Sequence, residues 1–208
     1  MKSVLCFGDS NTWGYAPDLP RRFNMSERWT MQLQTLLGAQ YRIIEEGLNS
    51  RTTVFEDPFE PGKKGLDYLY PCLESHHPDL VVLMLGTNDL KTRFNVSASD
   101  ISKGAARLVE MIQRFHHGFM AKPADVLLIS PTLVFETRIG FEGFDGAAEK
   151  SKQLGHYFKL RSEERNCHFL DAAEFVEPCA VEGVHWPLEQ HTKFAQRLSE
   201  IIPTLFNE

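Results

Sequence analysis

The sequence predicts an α/β chain: one three-layer α/β/α domain built on a five-stranded parallel sheet. Three observations carry that prediction. Five short apolar runs are spread along the 208 residues. Helical periodicity fills the gaps between them. The runs are continuous or nearly so, as strands covered on both faces are, rather than alternating with polar residues. Strand–helix–strand units of this kind wind right-handed and lay helices on both faces of one sheet. No internal repeat, low-complexity tract or linker interrupts the series, so 1–208 reads as a single domain.

The elements follow in order. The first strand is expected over 3–7, where Gly-Asp-Ser ends the apolar run. Trp29, Leu33, Leu36 and Leu37 then fall on one helical face, with Gly38 placed to cap its end. The second strand is expected over 41–46. Pro71 makes 64–76 a broken or late-starting helix, because proline lacks the N–H that the ladder needs. The third strand takes 80–85. Ile101, Ala105, Leu108, Ile112 and Phe115 line one face of the next helix, with Ser97 or Ser99 as its N-cap. The fourth strand takes 125–130, a helix 146–165, and the fifth strand 167–170. Pro187 suits the first turn of a final helix whose apolar face runs through His191, Phe194, Leu198, Ile201 and Ile202. The strand order 2-1-3-4-5 is the flavodoxin-like one common among small doubly wound sheets.

Composition excludes several classes. The chain carries 22 Lys+Arg against 28 Asp+Glu, a net charge of −6, which gives no basic stripe for nucleic acid. With 42% hydrophobic and 24% charged residues it is no disordered chain. Its longest apolar run, 80–85, is far short of the ~18 residues of a membrane span, so no membrane partner is expected. The N-terminus has neither the apolar core nor the cleavage site of a signal peptide, so the expected location is cytoplasmic. Four scattered cysteines form no C-x-x-C and predict neither a disulfide framework nor a zinc site.

Ligands bind such sheets at the carboxyl ends of the strands. After the first comes Gly8-Asp9-Ser10-Asn11. After the second comes Glu45-Glu46-Gly47-Leu48-Asn49-Ser50-Arg51, and after the third Gly86-Thr87-Asn88-Asp89. Well after the fifth comes Glu182-Gly183-Val184-His185. A hydroxyl, a glycine amide, a carboxamide and an imidazole thus converge on one edge. Acyl transfer needs this set: a nucleophile, a base, and donors for a developing oxyanion. Singly, each segment also reads as an ordinary turn or cap.

Together, in this chain order, the four segments resemble the blocks of the SGNH (GDSL) hydrolases over essentially the whole chain. The wording Glu45-Glu46-Gly47-Leu48 followed by Arg51-Thr52-Thr53, and Leu83-Met84-Leu85-Gly86-Thr87-Asn88-Asp89, is similar to the arylesterase/acyltransferase branch. The resemblance implies Ser10 as nucleophile and His185 as general base. It implies an oxyanion hole from the Ser10 amide, the Gly47 amide and the Asn88 side chain. It also implies a serine esterase acting on small carboxylic esters, with short acyl chains such as acetyl, and acyl transfer to alcohols. No cofactor and no metal are expected. The family's usual Asp three residues before the His is Glu182 here. Either Glu182 orients His185 in a Ser-His-Glu triad, or it is a surface residue and a backbone carbonyl orients the ring. Asp171 is a third candidate, read more simply as a turn.

Other features carry weaker expectations. Asn11, Trp13 and Trp186, beside the site residues, are candidate substrate contacts, and with Tyr15 and Phe23 they read equally as packing of a long loop. Phe135, Phe141 and Phe144 make an apolar loop, expected as a substrate wall or a subunit contact. With the resembling branch, that loop predicts a homo-oligomer. His76-His77 and His116-His117 read as helix-end histidines rather than metal pairs. A lysophospholipase or thioesterase, and a catalytically dead binding module, stand as the rival functions.

Overall fold

The computed structural model describes residues 1–19, 21–116, 122–137 and 142–206. Its sheet has five parallel strands in the order β2-β1-β3-β4-β5, as the sequence predicts. They are β1 (Lys2–Gly8), β2 (Tyr41–Gly47), β3 (Leu80–Met84), β4 (Asp125–Ser130) and β5 (His168–Asp171).

Alternate residues of each strand face opposite layers, and two cores result. Leu5, Phe7, Val81, Leu83 and Leu128 pack against α3 (Gly65–His76), α4 (Ala98–Arg114) and α6 (Leu154–Arg165). Val4, Cys6, Val82, Leu127 and Ile129 pack against α2 (Trp29–Leu37) and α7 (Leu188–Leu205). Two shorter helices, α1 (Ser10–Trp13) and α5 (Ala147–Ser151), complete the set. Continuous apolar strands are what a sheet sandwiched between two such layers requires.

The caps fall largely where the sequence puts them. Ser97 Oγ accepts from the Asp100 amide and opens α4. Gly38, at φ 69°, closes α2 by donating to the Gln34 carbonyl. Three expectations are corrected. Pro71 lies inside an unbroken α3, because it and Asp67 sit on the exposed face, where water takes up the carbonyl that proline leaves free. The helix expected over 146–165 is two helices, α5 and α6, parted at Lys152-Gln153. There the Ser151 hydroxyl is spent on the Val134 amide at 3.0 Å, which ties the break to the loop after β4. Pro187 is the N-cap of α7 in an extended conformation, ψ 162°, rather than its first residue.

Register brings the strand ends level. Gly8 pairs with Gly47 of β2 and with Met84 of β3, so the segments that follow all three strands leave the sheet at one height. Gly47 must be glycine there, since a Cβ would overlap the backbone nitrogen of Trp13. His191, in the first turn of α7, is fully buried, and its Nδ1 accepts the Trp29 amide at 3.3 Å. Burial, with neighbouring His185 second, pushes its pKa down to about 3, so it packs as a neutral ring. Among the described residues no helix is long and apolar enough to cross a membrane.

Candidate active site

Ser10 opens α1 directly after β1. The preceding Asp9 caps the helix, its Oδ1 accepting the Asn11 amide at 3.0 Å. The chain turns within one residue of the strand because Arg51, buried below, donates to the Gly8 carbonyl at 3.0 Å and also to the Glu46 carbonyl. Its guanidinium lies 4.1 Å from the Phe7 ring centroid. The second segment reverses through Ser50, at φ 63°, which returns the chain so that Arg51 can reach under β1. In the third segment Asn88 donates its side-chain amide to the Arg51 carbonyl at 3.1 Å. Asp89 is fully buried and accepts the amide and hydroxyl of Thr53. Burial, offset in part by those bonds and reinforced by Asp9, pushes the Asp89 carboxyl up to about 6.

The fourth segment is held from two sides. Gly183, at φ 82°, accepts the Phe135 amide at 2.8 Å, and the Cys179 amide donates to the His185 carbonyl at 2.7 Å. Asn11 clamps the same loop to α1. Its Nδ2 donates to the Val184 carbonyl at 3.3 Å and its Oδ1 accepts the Trp186 amide at 3.1 Å.

These loops bring three side chains into a chain of contacts. His185 Nε2 lies 2.9 Å from Ser10 Oγ, and His185 Nδ1 lies 2.8 Å from Glu182 Oε2. The other carboxylate oxygen, Glu182 Oε1, accepts the amides of Val184, at 3.3 Å, and of His185. All three residues are buried, at 6–7% exposure. Tyr15 stacks on the imidazole with ring centroids 4.1 Å apart. A hydroxyl within reach of an imidazole that a carboxylate orients is the arrangement that activates serine.

Beside them lies a cavity of about 120 Å³, lined by Ser10, Tyr15, Asn49, Ser50, Asn88, Lys91, Phe144, Val184 and His185. Of the other sequence candidates, Tyr15 and Phe144 are in that lining, and Asn11, Trp13, Phe23 and Trp186 are not. Asn11 is the loop clamp just described. Trp186 is fully buried in the core, packed against Phe194 and His191. Trp13 carries the Arg22 guanidinium 5.0 Å over its ring. Phe23 is buried edge-on against His191. Phe144 supplies cavity wall, Phe135 is half-buried, and Phe141 lies outside the described residues. Asp171 accepts the Ala173 amide at 3.1 Å, the turn role expected of it. His76 pairs with Glu46 at 3.1 Å, His77 ends α3, and His117 lies outside the described residues. Asn49, Ser50, Lys91 and Val184 are the lining residues that sequence reasoning missed. The available signal was position: Lys91 stands three residues after Asn88, and Asn49 two after Gly47.

The profile of the GDSL-like lipase/acylhydrolase family matches residues 6–192. The chain belongs to that family. It is an ester-hydrolysing enzyme, as the four segments after the strands led us to expect. Two solved structures agree over the full length. An aryl esterase from M. smegmatis is 33% identical, with a TM-score of 0.93 over 99% of this chain and 100% of its own. A carbohydrate acetylesterase from Sinorhizobium meliloti is 32% identical, with a TM-score of 0.93 over the same shares. A G-D-S-L family lipolytic protein from Veillonella parvula, at 15% identity and a TM-score of 0.71, shares the fold. A search of curated protein sequences finds no match.

Proposed function

We propose that the protein is a serine esterase for short-acyl esters, working through an acyl-enzyme on Ser10. His185 takes the Ser10 proton as the hydroxyl attacks the ester carbonyl. Glu182 holds the ring and stabilises the imidazolium. The Ser10 amide, the Gly47 amide and Asn88 Nδ2 donate to the oxyanion of the tetrahedral intermediate. Each such donor is worth about 10²–10³ in rate. The imidazolium then returns its proton to the leaving alcohol, and the acyl group stays on Oγ. Water, activated by the same imidazole, releases the acid. An alcohol taking the place of that water receives the acyl group instead.

The observation that carries this reading is the Glu182–His185–Ser10 chain of contacts, whose Ser10 and His185 line so small a cavity. An apolar cavity of about 150 Å³ accommodates benzene. The one beside Ser10, at about 120 Å³, has the size of a short acyl group such as acetyl or propionyl. The M. smegmatis and S. meliloti neighbours, an aryl esterase and a carbohydrate acetylesterase, fit the same short-acyl reading.

The test is an acyl-length series of p-nitrophenyl esters with labelling by a serine-reactive phosphonate. Acetate should turn over fastest, and Ser10→Ala should fold, lose turnover and lose the label. A preference for octanoate or longer would favour a lysophospholipase or thioesterase. No turnover and no label in the wild type would leave a binding module. Adding an alcohol should divert product from acetic acid to the new acetate ester. We also propose self-association through apolar side chains left bare, Phe59 at 73% and Val181 at 59% exposure. A single species of 23.8 kDa by light scattering at micromolar concentration would defeat it.

A further inference from the structure

His185 makes one contact that the reaction proposed above does not use. Both ring nitrogens are engaged at the edge of the imidazole, Nδ1 with Glu182 Oε2 at 2.8 Å and Nε2 with Ser10 Oγ at 2.9 Å. The contact is on a face. There the Tyr15 ring is stacked at 4.1 Å between centroids, with 30° between the two planes. The turn that closes α1 puts it there. Gly14, at φ 90°, reverses the chain, and the amides of Gly14 and Tyr15 both donate to the Ser10 carbonyl, at 2.9 and 3.0 Å. Tyr15 then pairs with Arg22 in an antiparallel bridge. The residue whose hydroxyl faces His185 thus also anchors, through its carbonyl, the ring that covers His185.

We infer that the face of the Tyr15 ring stabilises the imidazolium that His185 becomes when it takes the Ser10 proton. His185 is buried, at 6% exposure, so little water reaches the new charge. Glu182 answers that charge at the Nδ1 edge. The other titratable groups that act on the ring are Asp9, on the turn before Ser10, and the neutral His191. Tyr15 answers it from a face. The face of an aromatic ring is its negative side, and it attracts a cation within about 6 Å of the centroid, more strongly where water is excluded. The neutral imidazole of the resting enzyme carries no charge for that face to attract. The contact therefore strengthens on the way to the transition state, and such contacts raise kcat rather than lower KM. Acylation and deacylation both pass through the imidazolium, so both gain. Tyr15 also lines the cavity, where a contact with the neutral substrate would register in KM instead. The role rests on the reading of His185 as general base and adds to it a residue that acts through the imidazole.

A fluorination series at position 15 tests it. Fluorine draws electron density from the face of an aromatic ring and barely alters its size. Tyr15→Phe is the reference, so that any effect of the hydroxyl drops out, and it should keep kcat for p-nitrophenyl acetate within about threefold of wild type. Putting monofluoro- and then trifluorophenylalanine in the same place should lower kcat stepwise, with KM and the melting temperature little changed. Tyr15→Leu keeps an apolar side chain and removes the face, and should lower kcat by about tenfold or more. Equal kcat along the fluorinated series, in enzyme that still turns the ester over, would make Tyr15 a packing residue and overturn the inference while leaving the Ser10 reading intact. A rise confined to KM would make the ring a substrate contact and overturn it as well. A folded His185→Ala variant with wild-type turnover would overturn both the inference and the general base it rests on.

Discussion

The Arg51 guanidinium donates to the Gly8 carbonyl at 3.0 Å, so a residue of the second loop fixes the turn that presents Ser10. The same Nη1 reaches the Glu46 carbonyl, next to Gly47, and the Arg51 carbonyl accepts Asn88 Nδ2 at 3.1 Å. One buried side chain and its own carbonyl thus touch all three segments that supply the proposed oxyanion donors. Arg51→Lys keeps the charge and loses the planar fork. We expect kcat to fall about tenfold or more with little change in KM, since small errors in donor placement act on the transition state. The melting temperature should drop only modestly. A folded Lys variant with wild-type kcat would show that Arg51 merely fills space between the rings of Phe7 and Tyr68, whose centroids lie 4.1 and 5.0 Å from its guanidinium.

Asn88 should behave as a group that binds more tightly in the transition state than in the ground state. One of its amide hydrogens is taken by the Arg51 carbonyl, which orients the other. Asn88→Ala should lower kcat by about 10²-fold or more and leave KM close to its starting value. Steady-state kinetics on a short aryl ester read this directly. A change confined to KM would make Asn88 a ground-state contact instead.

How much of this was legible beforehand follows from what each residue depends on. The strands were readable because burial on both faces makes them continuous apolar runs, as in Leu80–Met84. Ser10, Gly47, Asn88 and His185 were readable because each ends or follows a strand or lies just before the last helix, positions that topology brings together. Pro71 and the break between α5 and α6 were not, since solvent exposure decides the first and the second lies beside a long-range bond that the Val134 amide donates to Ser151 Oγ. Trp186 and Lys91 mark the same limit at the site. Sequence adjacency to His185 suggested a pocket aromatic, yet Trp186 packs in the core against His191 and Phe194, and a lysine with no motif of its own lines the cavity.

Asp89 makes stability depend on pH in an unusual direction for a carboxylate. Burial raises its folded pKa to about 6, above its ordinary value. The native state therefore binds this proton more tightly than the unfolded chain does. Its contribution is fully present below the unfolded pKa and is lost as pH rises through about 6. Asp89→Asn removes the titration while keeping an oxygen to accept from Thr53. The melting temperature of the wild type should fall, relative to the Asn variant, between about pH 4 and pH 7. Parallel curves for the two proteins across that range would show that Asp89 is not protonated in the fold.

Glu182→Gln separates a triad from a dyad. In the wild type, Glu182 Oε2 lies 2.8 Å from His185 Nδ1, and the geometry suits an Nδ1–H donating to the carboxylate. That tautomer leaves Nε2 unprotonated toward Ser10, 2.9 Å away, ready to accept its proton. Glutamine keeps the size and one oxygen. With that oxygen still taken by the amides of Val184 and His185, the new NH₂ faces Nδ1. The ring must then accept at Nδ1 and carry its proton on Nε2, which points a donor at a hydroxyl that needs a base. The carboxylate charge that would stabilise the imidazolium is lost as well. A comparable swap in a serine protease triad lowers kcat by about 10⁴, and a loss of about 10³–10⁴ is expected here with the melting temperature little changed. Glu182→Asp retains the charge on a loop shaped for a longer side chain, so it should recover part of that activity. If a well-folded Gln variant turned over esters at nearly the wild-type rate, the imidazole would be oriented without the carboxylate, and Ser10 with His185 would suffice.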